Sequence, residues 1–485
     1  MIVIRSDSSF QIGSGHVMRD LALAERLSKY DRNICFVCRN FPGHFADQIV
    51  KSGYQLKLLP ETAETKAEIE VIKALQPDWL VVDHYDIQKE WEIQFDGICR
   101  VLVIDDLANR PHHCDVLIDQ NFHSKKDPYA GLQEKSSNRY VGPQFSLLRS
   151  HILELDQKEK VNPYVLCFFG GSDYSGETLK FVKALQKRPT QLKLKIVVTR
   201  NNVKFSELSQ IPPEGFELHL APANWEELLA GATLYFGSGG SVTWERMYLG
   251  VPGCVVSVAE NQYEIARSLA EHSYQKFLGH AEEVDYADAL SFLEKLFADK
   301  VELERLVSRG KHLVRPFPEA ILKMYFSSEP SQELHLVPAN ITHADFLFGL
   351  RNDPLTVAMF RSRSTVSKEE HVAWLKRKLD DYDSRIYIAY SGDTPVGQFR
   401  VDGDGGTSLS VHASHRGRGL AKKIVELGSE IYFLEKPGVS ELYAEIRAEN
   451  VGSIKAFAGA GYTEQGEPVK DGEFRILRRR REANI

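Results

Sequence analysis

The stretch "MIVIRSDSSFQIGSGHVMRDLALAERL" (residues 1–27) decides the fold class. Met1 to Asp7 is a short, β-branched apolar run and reads as a buried strand. From Val17 to Leu27 apolar residues recur at helical spacing. A glycine-bearing turn lies between them, so the unit is strand–turn–helix. Gly13 and Gly15 fit the first two glycines of a dinucleotide fingerprint, but Met18 stands where the third belongs, and that fingerprint fails. The distinctive residue is His16, at the positive end of a helix. The helix dipole there disfavours imidazolium, so His16 is expected to stay neutral at pH 7 and to be able to take a proton.

The same alternation continues along the chain. "WLVVDHY" (79–85), "RVLVIDD" (100–106), "YVLCFFGG" (164–171), "LKIVVT" (194–199), "TLYFGSGG" (233–240) and "GCVVSVA" (253–259) are too short and too β-branched for helices, and helical patterns separate them. Strands alternating with helices imply parallel sheets covered on both faces. A charged break at 155–164 ends in Pro163. It divides this region into two Rossmann-like halves, 1–155 and 156–326, with ligands expected at the carboxyl ends of the strands. A polar, proline-bearing linker follows at 326–332. Beyond it, over 333–485, "IYIAY", "PVGQFRV" and "SLSV" read as antiparallel strands joined by Gly/Asp turns. The run "RRRR" (478–481) reads as a solvated tail.

Bulk properties limit the alternatives. The 485 residues exceed one core, and 43% hydrophobic with 26% charged residues is ordinary for a globular protein. A net charge of −7 argues against general nucleic-acid binding. No apolar run is long enough to span a bilayer, and the N-terminus lacks the basic start of a signal peptide. A cytoplasmic protein without membrane partners is expected. Cys35 and Cys38 read as core residues of a strand, and His112, His113 and Cys114 are too close together for a tetrahedral zinc site. Neither a metal nor a disulfide is expected.

Near the C-terminus, "RGRGLA" (416–421) presents Arg416, Gly419 and Ala421 as R-x-x-G-x-A between a strand and a helix. Small residues let the backbone approach a ligand, and amides at a helix start can receive a pyrophosphate. "NVGSIKAFAGAGY" (450–462) follows. With these motifs, residues 333–482 resemble the GNAT acetyltransferase superfamily. The resemblance implies acetyl-CoA as co-substrate, held by Val411, Arg416, Gly417, Arg418, Gly419, Leu420, Ala421, Asn450 and Ser453. It departs at Phe457, where the superfamily carries the tyrosine that protonates the CoA thiolate. Glu445 is the candidate base, working through water on an amine that must attack neutral. "LRNDPLT" (350–356) and "EEHVAWL" (369–375) resemble the members that acetylate nucleotide-linked amino sugars. They give Arg351, His371 and Trp374 as the amino-sugar wall.

In the first 320 residues, "GSGGSVTWERMYLGVP" (237–252) reads as a strand running into glycines and then a helix capped by Ser241, closed by Gly250 and stopped by Pro252. Glu245, in its first turn, can accept two ribose hydroxyls. "FFGGSD" (168–173) and "ENQ" (260–262) end neighbouring strands. These stretches, with residues 6–24, 80–92 and 101–121, resemble as a set the UDP-sugar hydrolase family of pseudaminic acid biosynthesis and, more distantly, GT-B glycosyltransferases. The resemblance implies a GT-B-like α/β pair in which Gly13, Gly15, Gly171, Ser172, Gly239, Gly240, Ser241, Thr243, Glu245, Asn261 and Gln262 hold a UDP-sugar. It places the catalytic histidine on His16, with Asp83 and Tyr85 beside it.

The expectation is therefore a two-enzyme chain. One part acetylates the 4-amino group of a UDP-linked amino sugar. The other hydrolyses UDP-2,4-diacetamido-2,4,6-trideoxy-L-altrose to UDP and free sugar. The alternatives are a GT-B glycosyltransferase using a UDP-sugar, and a GNAT domain that only binds acetyl-CoA or acylates another amino sugar.

Overall fold

A computed structural model describes residues 1–31, 33–132, 137–155, 162–327, 334–465 and 473–482. Residues 328–332 of the linker and most of the break at 155–164 lie outside the described residues. Two compact units result, essentially residues 1–317 and 318–485.

The first unit holds two sheets. Strands β1 (Ile2–Ser6), β2 (Ile34–Arg39), β3 (Gln55–Leu59), β4 (Trp79–Asp83), β5 (Arg100–Ile104), β6 (Val116–Asp119) and β7 (Asn138–Val141) are ordered 3-2-1-4-5-6-7. The pairs among β1 to β6 are parallel. β1 and β4 are buried along their whole length, so each opens on an apolar run, Ile2–Ile4 and Trp79–Val82, and carries polar residues only at its carboxyl end. Chain order reverses between β1 and β4, where Ser6 pairs with Asp83. A crevice opens at such a switch point beyond the carboxyl ends of the strands, and the 7–15 loop and the residues after Asp83 lie there.

The second sheet repeats the plan. β8 (Val165–Phe168), β9 (Leu194–Val198), β10 (Glu217–Leu220), β11 (Leu234–Ser238), β12 (Gly253–Ser257) and β13 (Lys276–His280) are all parallel, in the order 10-9-8-11-12-13. Its switch point falls between β8 and β11, which end in the glycines at 170–171 and 239–240. At Gly237, φ is +155° and an added Cβ would stand 1.8 Å from the Phe168 carbonyl oxygen, so only glycine lets these two strands pair this closely.

The second unit is an antiparallel meander, β14 (Leu334–Pro338), β15 (Arg385–Ser391), β16 (Thr394–Val401) and β17 (Thr407–Val411), with a smaller sheet of β18 (Glu441–Arg447), β20 (Phe474–Arg480) and β19 (Thr463–Glu464). The helix Leu420–Glu435 buries Ile424, Val425, Tyr432 and Phe433 against both sheets. The α/β class and the antiparallel C-terminal domain match the sequence reading. Two placements differ. The helix Glu319–Phe326, assigned to the second Rossmann-like half, packs in the C-terminal unit, where Met324 joins the core of the meander. The "RRRR" run is no tail: it ends β20, where Arg478 pairs with Glu441 and Arg479 with Glu430. Burying the alternate Leu477 draws the charged neighbours into the sheet.

Candidate functional site

In the first unit the turn after β1 is built by Ser9, whose hydroxyl accepts the Gln11 and Ile12 amides while its carbonyl accepts Gly13 N–H. Gly13 sits at φ +81°, a conformation costly for other residues. The helix starts at Gly15, two residues earlier than the periodicity suggests. Residues 16 and 19 fall on one helix face, and both reach Asp83. His16 Nδ1 is 2.5 Å from Asp83 Oδ1, while Arg19 donates to both carboxylate oxygens at 2.5 and 2.6 Å. Burial opposes ionisation of Asp83, but the charge of Arg19 and the hydrogen bonds from Arg19 and His16 outweigh it and hold the carboxyl well below the usual range. A permanent carboxylate fixes the histidine tautomer: Nδ1 carries the proton and Nε2 keeps its lone pair. Nε2 makes no hydrogen bond among the described residues.

The network continues across the two halves of this unit. Tyr85 stands edge-on to the His16 ring at 4.5 Å. Its hydroxyl donates to Asp106 at 3.2 Å and accepts from Asn261 Nδ2 at 2.7 Å. Burial, then the Asp106 charge, raises the phenol far above its ordinary value, so it remains a donor. Arg19 also pairs with Asp106 at 3.0 Å. Asp20 is fully buried beside Asp83, and burial followed by that charge pushes its carboxyl well up, so it stays protonated.

The structure therefore brings His16, Asp83, Tyr85 and Asn261 together, and adds Arg19 and Asp106. The loops also meet, since a Cβ at Gly171 would stand 2.8 Å from Ser14 Oγ. Gln262 lies under Gly240 and accepts the Val258 amide. Asn261 and Gln262 occupy the first turn of a helix, Glu260–Glu271. Ser172 follows Gly171, and its carbonyl accepts Val203 N–H.

Three expectations here need correction. Ser241 occupies the N-cap position of the helix Val242–Tyr248 but makes no side-chain cap. Its helical φ and ψ keep the hydroxyl away from the following amides. Thr243 is 1% exposed and packs inward, so it does not line the cleft. Glu245 does reach outward, but Arg149 grips both its oxygens at 2.7 Å and also pairs with Glu226. Arg149 and Glu245 are 96 positions apart, so no local pattern announces the pair.

In the second unit a cavity of about 1230 Å³ is lined by Val411, Arg416, Gly417, Gly419, Leu420, Ala421, Asn450, Ser453, Phe457 and Glu445. Gly417 and Gly419 sit at φ +77° and +76° with nothing within 4 Å of an added Cβ, an open backbone cradle at the start of a 16-residue helix. Its free amides and dipole suit a pyrophosphate. This fits acetyl-CoA. Arg418 is exposed and does not line the cavity. Arg416 turns back, donating to the Val411 carbonyl at 3.0 Å and to Asp353 at 2.6 Å, so it holds the loop's shape. Asn450 Oδ1 caps the helix Val451–Gly459 through Ser453 N–H. Glu445 faces the cavity with both oxygens held by Arg361. Arg351, His371 and Trp374 do not line it. His371 is 4% exposed against Trp374 and Phe348, Trp374 packs on a core of Leu347, Leu375 and Ile388, and Arg351 covers the Phe360 ring. Helical spacing correctly places residues 371 and 374 on one face, and that face is core.

Residues 333–463 match the acetyltransferase (GNAT) domain family. The chain is also similar to the UDP-2,4-diacetamido-2,4,6-trideoxy-beta-L-altropyranose hydrolase of Campylobacter jejuni, 28% identical over 281 residues, 56% of this chain and 97% of that protein. An uncharacterised protein of Methanocaldococcus jannaschii is 22% identical over 484 residues, 95% of this chain and 96% of its own length. Among solved structures, MurG of Acinetobacter baumannii aligns at 14% identity and a TM-score of 0.45, covering 68% of this chain and 99% of that one. No helix among the described residues is long and apolar enough to cross a membrane, and no cluster of three metal-capable side chains occurs among them.

Proposed function

We propose that the chain joins two activities on one class of substrate, UDP-linked amino sugars. The first unit hydrolyses UDP-2,4-diacetamido-2,4,6-trideoxy-L-altrose to UDP and free sugar. The GNAT domain transfers the acetyl group of acetyl-CoA to the 4-amino group of its precursor.

The observation that carries the first assignment is the Asp83–His16 pair at the switch-point crevice. Asp83 holds the proton on Nδ1, so Nε2 can accept a proton from water. The water oxygen bonds to the anomeric carbon, the bond from that carbon to the diphosphate oxygen breaks, and UDP departs with the electron pair. Asn261, from the second half, orients Tyr85 at the edge of the His16 ring. The similarity of the chain to the Campylobacter hydrolase supports the substrate. The open cradle at Gly417 and Gly419 supports acetyl-CoA in the second unit.

Incubating the chain with the UDP-sugar and no acceptor tests the reading. Release of UDP and free sugar in equal amounts is expected. Turnover only when an acceptor alcohol is added would replace hydrolysis by glycosyl transfer.

A further inference from the structure

The GNAT cavity contains an ion pair that a bare acetyl transfer leaves unused. Arg361 follows the helix Pro354–Met359 and donates from Nε to Glu445 Oε1 at 2.8 Å and from a terminal nitrogen to Oε2. The segment carrying it is laid along β18. Arg447 donates to the Phe360 carbonyl at 3.2 Å, Arg363 pairs with Glu449 at 2.9 Å, and the Arg361 and Arg447 guanidiniums both stand over the Phe474 ring. The Arg361 side chain nevertheless stays 60% exposed, against 20% for Glu445. An ion pair this open is weak and readily exchanged.

Several neighbouring cations are already committed, and Lys422 and Lys455, which also line the cavity, carry ammonium groups and not a fork. Lys378 and Arg400 share Asp402, and Arg416 holds Asp353. Arg361 is the exposed guanidinium fork on this wall, and its partner is the carboxylate placed to act as base. A base must turn a lone pair toward the amine or toward a water in front of it. Here both Glu445 oxygens point into the fork.

We propose that Arg361 is an acceptor reader: a phosphate on the amine substrate takes the guanidinium from Glu445, and Glu445 is thereby released to accept the amine's proton. The fork binds carboxylate and phosphate in the same two-bonded geometry, so the exchange needs little reorientation. The acceptor class is then an amine carrying a phosphate or diphosphate, as a nucleotide-linked amino sugar does. A simple amine leaves the pair closed. In the step itself the neutral nitrogen bonds to the thioester carbonyl carbon and the carbon–sulfur bond breaks. The sulfur takes a proton, and the proton lost by nitrogen passes to Glu445. Arg361 acts through Glu445 and through substrate binding, as a positioning and specificity residue. The proposal rests on the reading that this domain acetylates an amine.

The test measures thiol release by the full chain with acetyl-CoA and two acceptors, a UDP-linked 4-amino-4,6-dideoxyhexose and the same amino sugar freed of UDP. Arg361→Met should raise KM for the UDP-linked acceptor by about tenfold or more, the worth of one charge-assisted contact. For the free amino sugar its KM should stay within about twofold and its kcat rise, since Glu445 is no longer held. Arg361→Lys should recover part of the UDP-linked preference. Equal changes on both acceptors, or none on either, would overturn the proposal. If the unsubstituted chain binds acetyl-CoA in calorimetry but releases thiol with neither acceptor, acetylation itself is wrong and the proposal falls with it.

Discussion

His16 and Asp83 meet at 2.5 Å although 67 positions separate them, because β1 and β4 are neighbours and their carboxyl ends open on the same crevice. Arg19 binds the same carboxylate from the next turn of the His16 helix. Asp83 is therefore held by three donors and cannot swing away. The imidazole is locked in one tautomer before any substrate arrives, so little reorganisation is left for the reaction.

Replacing His16 by Asn removes the proton acceptor and keeps a polar side chain of similar reach. Turnover of the UDP-sugar should fall by roughly 10²–10⁴-fold with UDP affinity within a few-fold. Steady-state kinetics with a parallel UDP titration check this. Lost UDP binding with full turnover at saturation would show that His16 serves binding instead.

Tyr85→Phe keeps the ring against His16 and deletes the hydroxyl that joins Asn261 to Asp106. The bridge between the two halves is lost while the His16–Asp83 pair stays. KM for the UDP-sugar should rise about tenfold, with a smaller change in kcat, since one to two hydrogen bonds to a charged network are removed. A kcat loss as large as that of the His16 variant would instead put Tyr85 in the proton path.

Away from the crevice, His112 is buried between Glu92, at 2.7 Å, and Asp105, at 3.8 Å. Burial lowers its pKa, but the neighbouring carboxylates of Asp105 and Glu92 outweigh that and raise it to about 9. A group with a raised folded pKa stabilises fully below its unfolded value of about 6.5, and the contribution declines above that and is gone beyond the folded value. Unfolding in urea should therefore show a loss on the order of 3 kcal/mol between pH 6 and pH 9.5 from this residue. His112→Gln, which can still bond Glu92 without the charge, should flatten that slope. An identical slope in the variant would remove His112 from the account.

What the sequence made legible follows one physical rule. A strand that ends in glycines or acids and turns into a helix announces the crevice, and the resemblance carried by those short stretches implied His16, Asp83, Gly171 and Asn261. Arg19 was within reach too, three residues after His16 on the same helix face. Arg149, Asp106 and Arg361 were not, because an ion pair between distant segments leaves no local pattern. Trp374 and His371 show the opposite failure. Their spacing reveals a shared face, and whether that face meets ligand or core depends on what the sheet places beneath it.

At Gly419, φ is +76° and no protein atom lies within 4 Å of an added Cβ. A side chain there would not disturb internal packing. It would meet the ligand, and a β-branched one would also strain the backbone. Gly419→Val should abolish acetyl-CoA binding in a calorimetric titration and lower Tm slightly. Gly419→Asn, which tolerates this conformation, should leave Tm unchanged and weaken binding less. Unchanged affinity in the Val variant would mean that the 416–421 loop does not hold the cofactor.

Phe457 lies on the cavity wall, 2% exposed, edge-on to Tyr462 at 5.0 Å. Tyr462 brings no hydroxyl to the cavity, because its oxygen is 2.9 Å from Ser429 Oγ in the core. Tyr443 lines the cavity, but its hydroxyl donates to Asp404 at 2.7 Å, and that bond, ahead of burial, raises its pKa to about 12. A proton held that firmly is a poor source for a thiolate whose own pKa is about 8.5, and a thiolate that weakly basic leaves without assistance and takes its proton from water. Phe457→Tyr should therefore change the acetyl-transfer kcat by less than about tenfold. Thiol release measured across pH 6–9 for both forms decides it. A hundredfold gain in the Tyr variant would show that the missing proton donor, and not attack by the amine, limits the reaction.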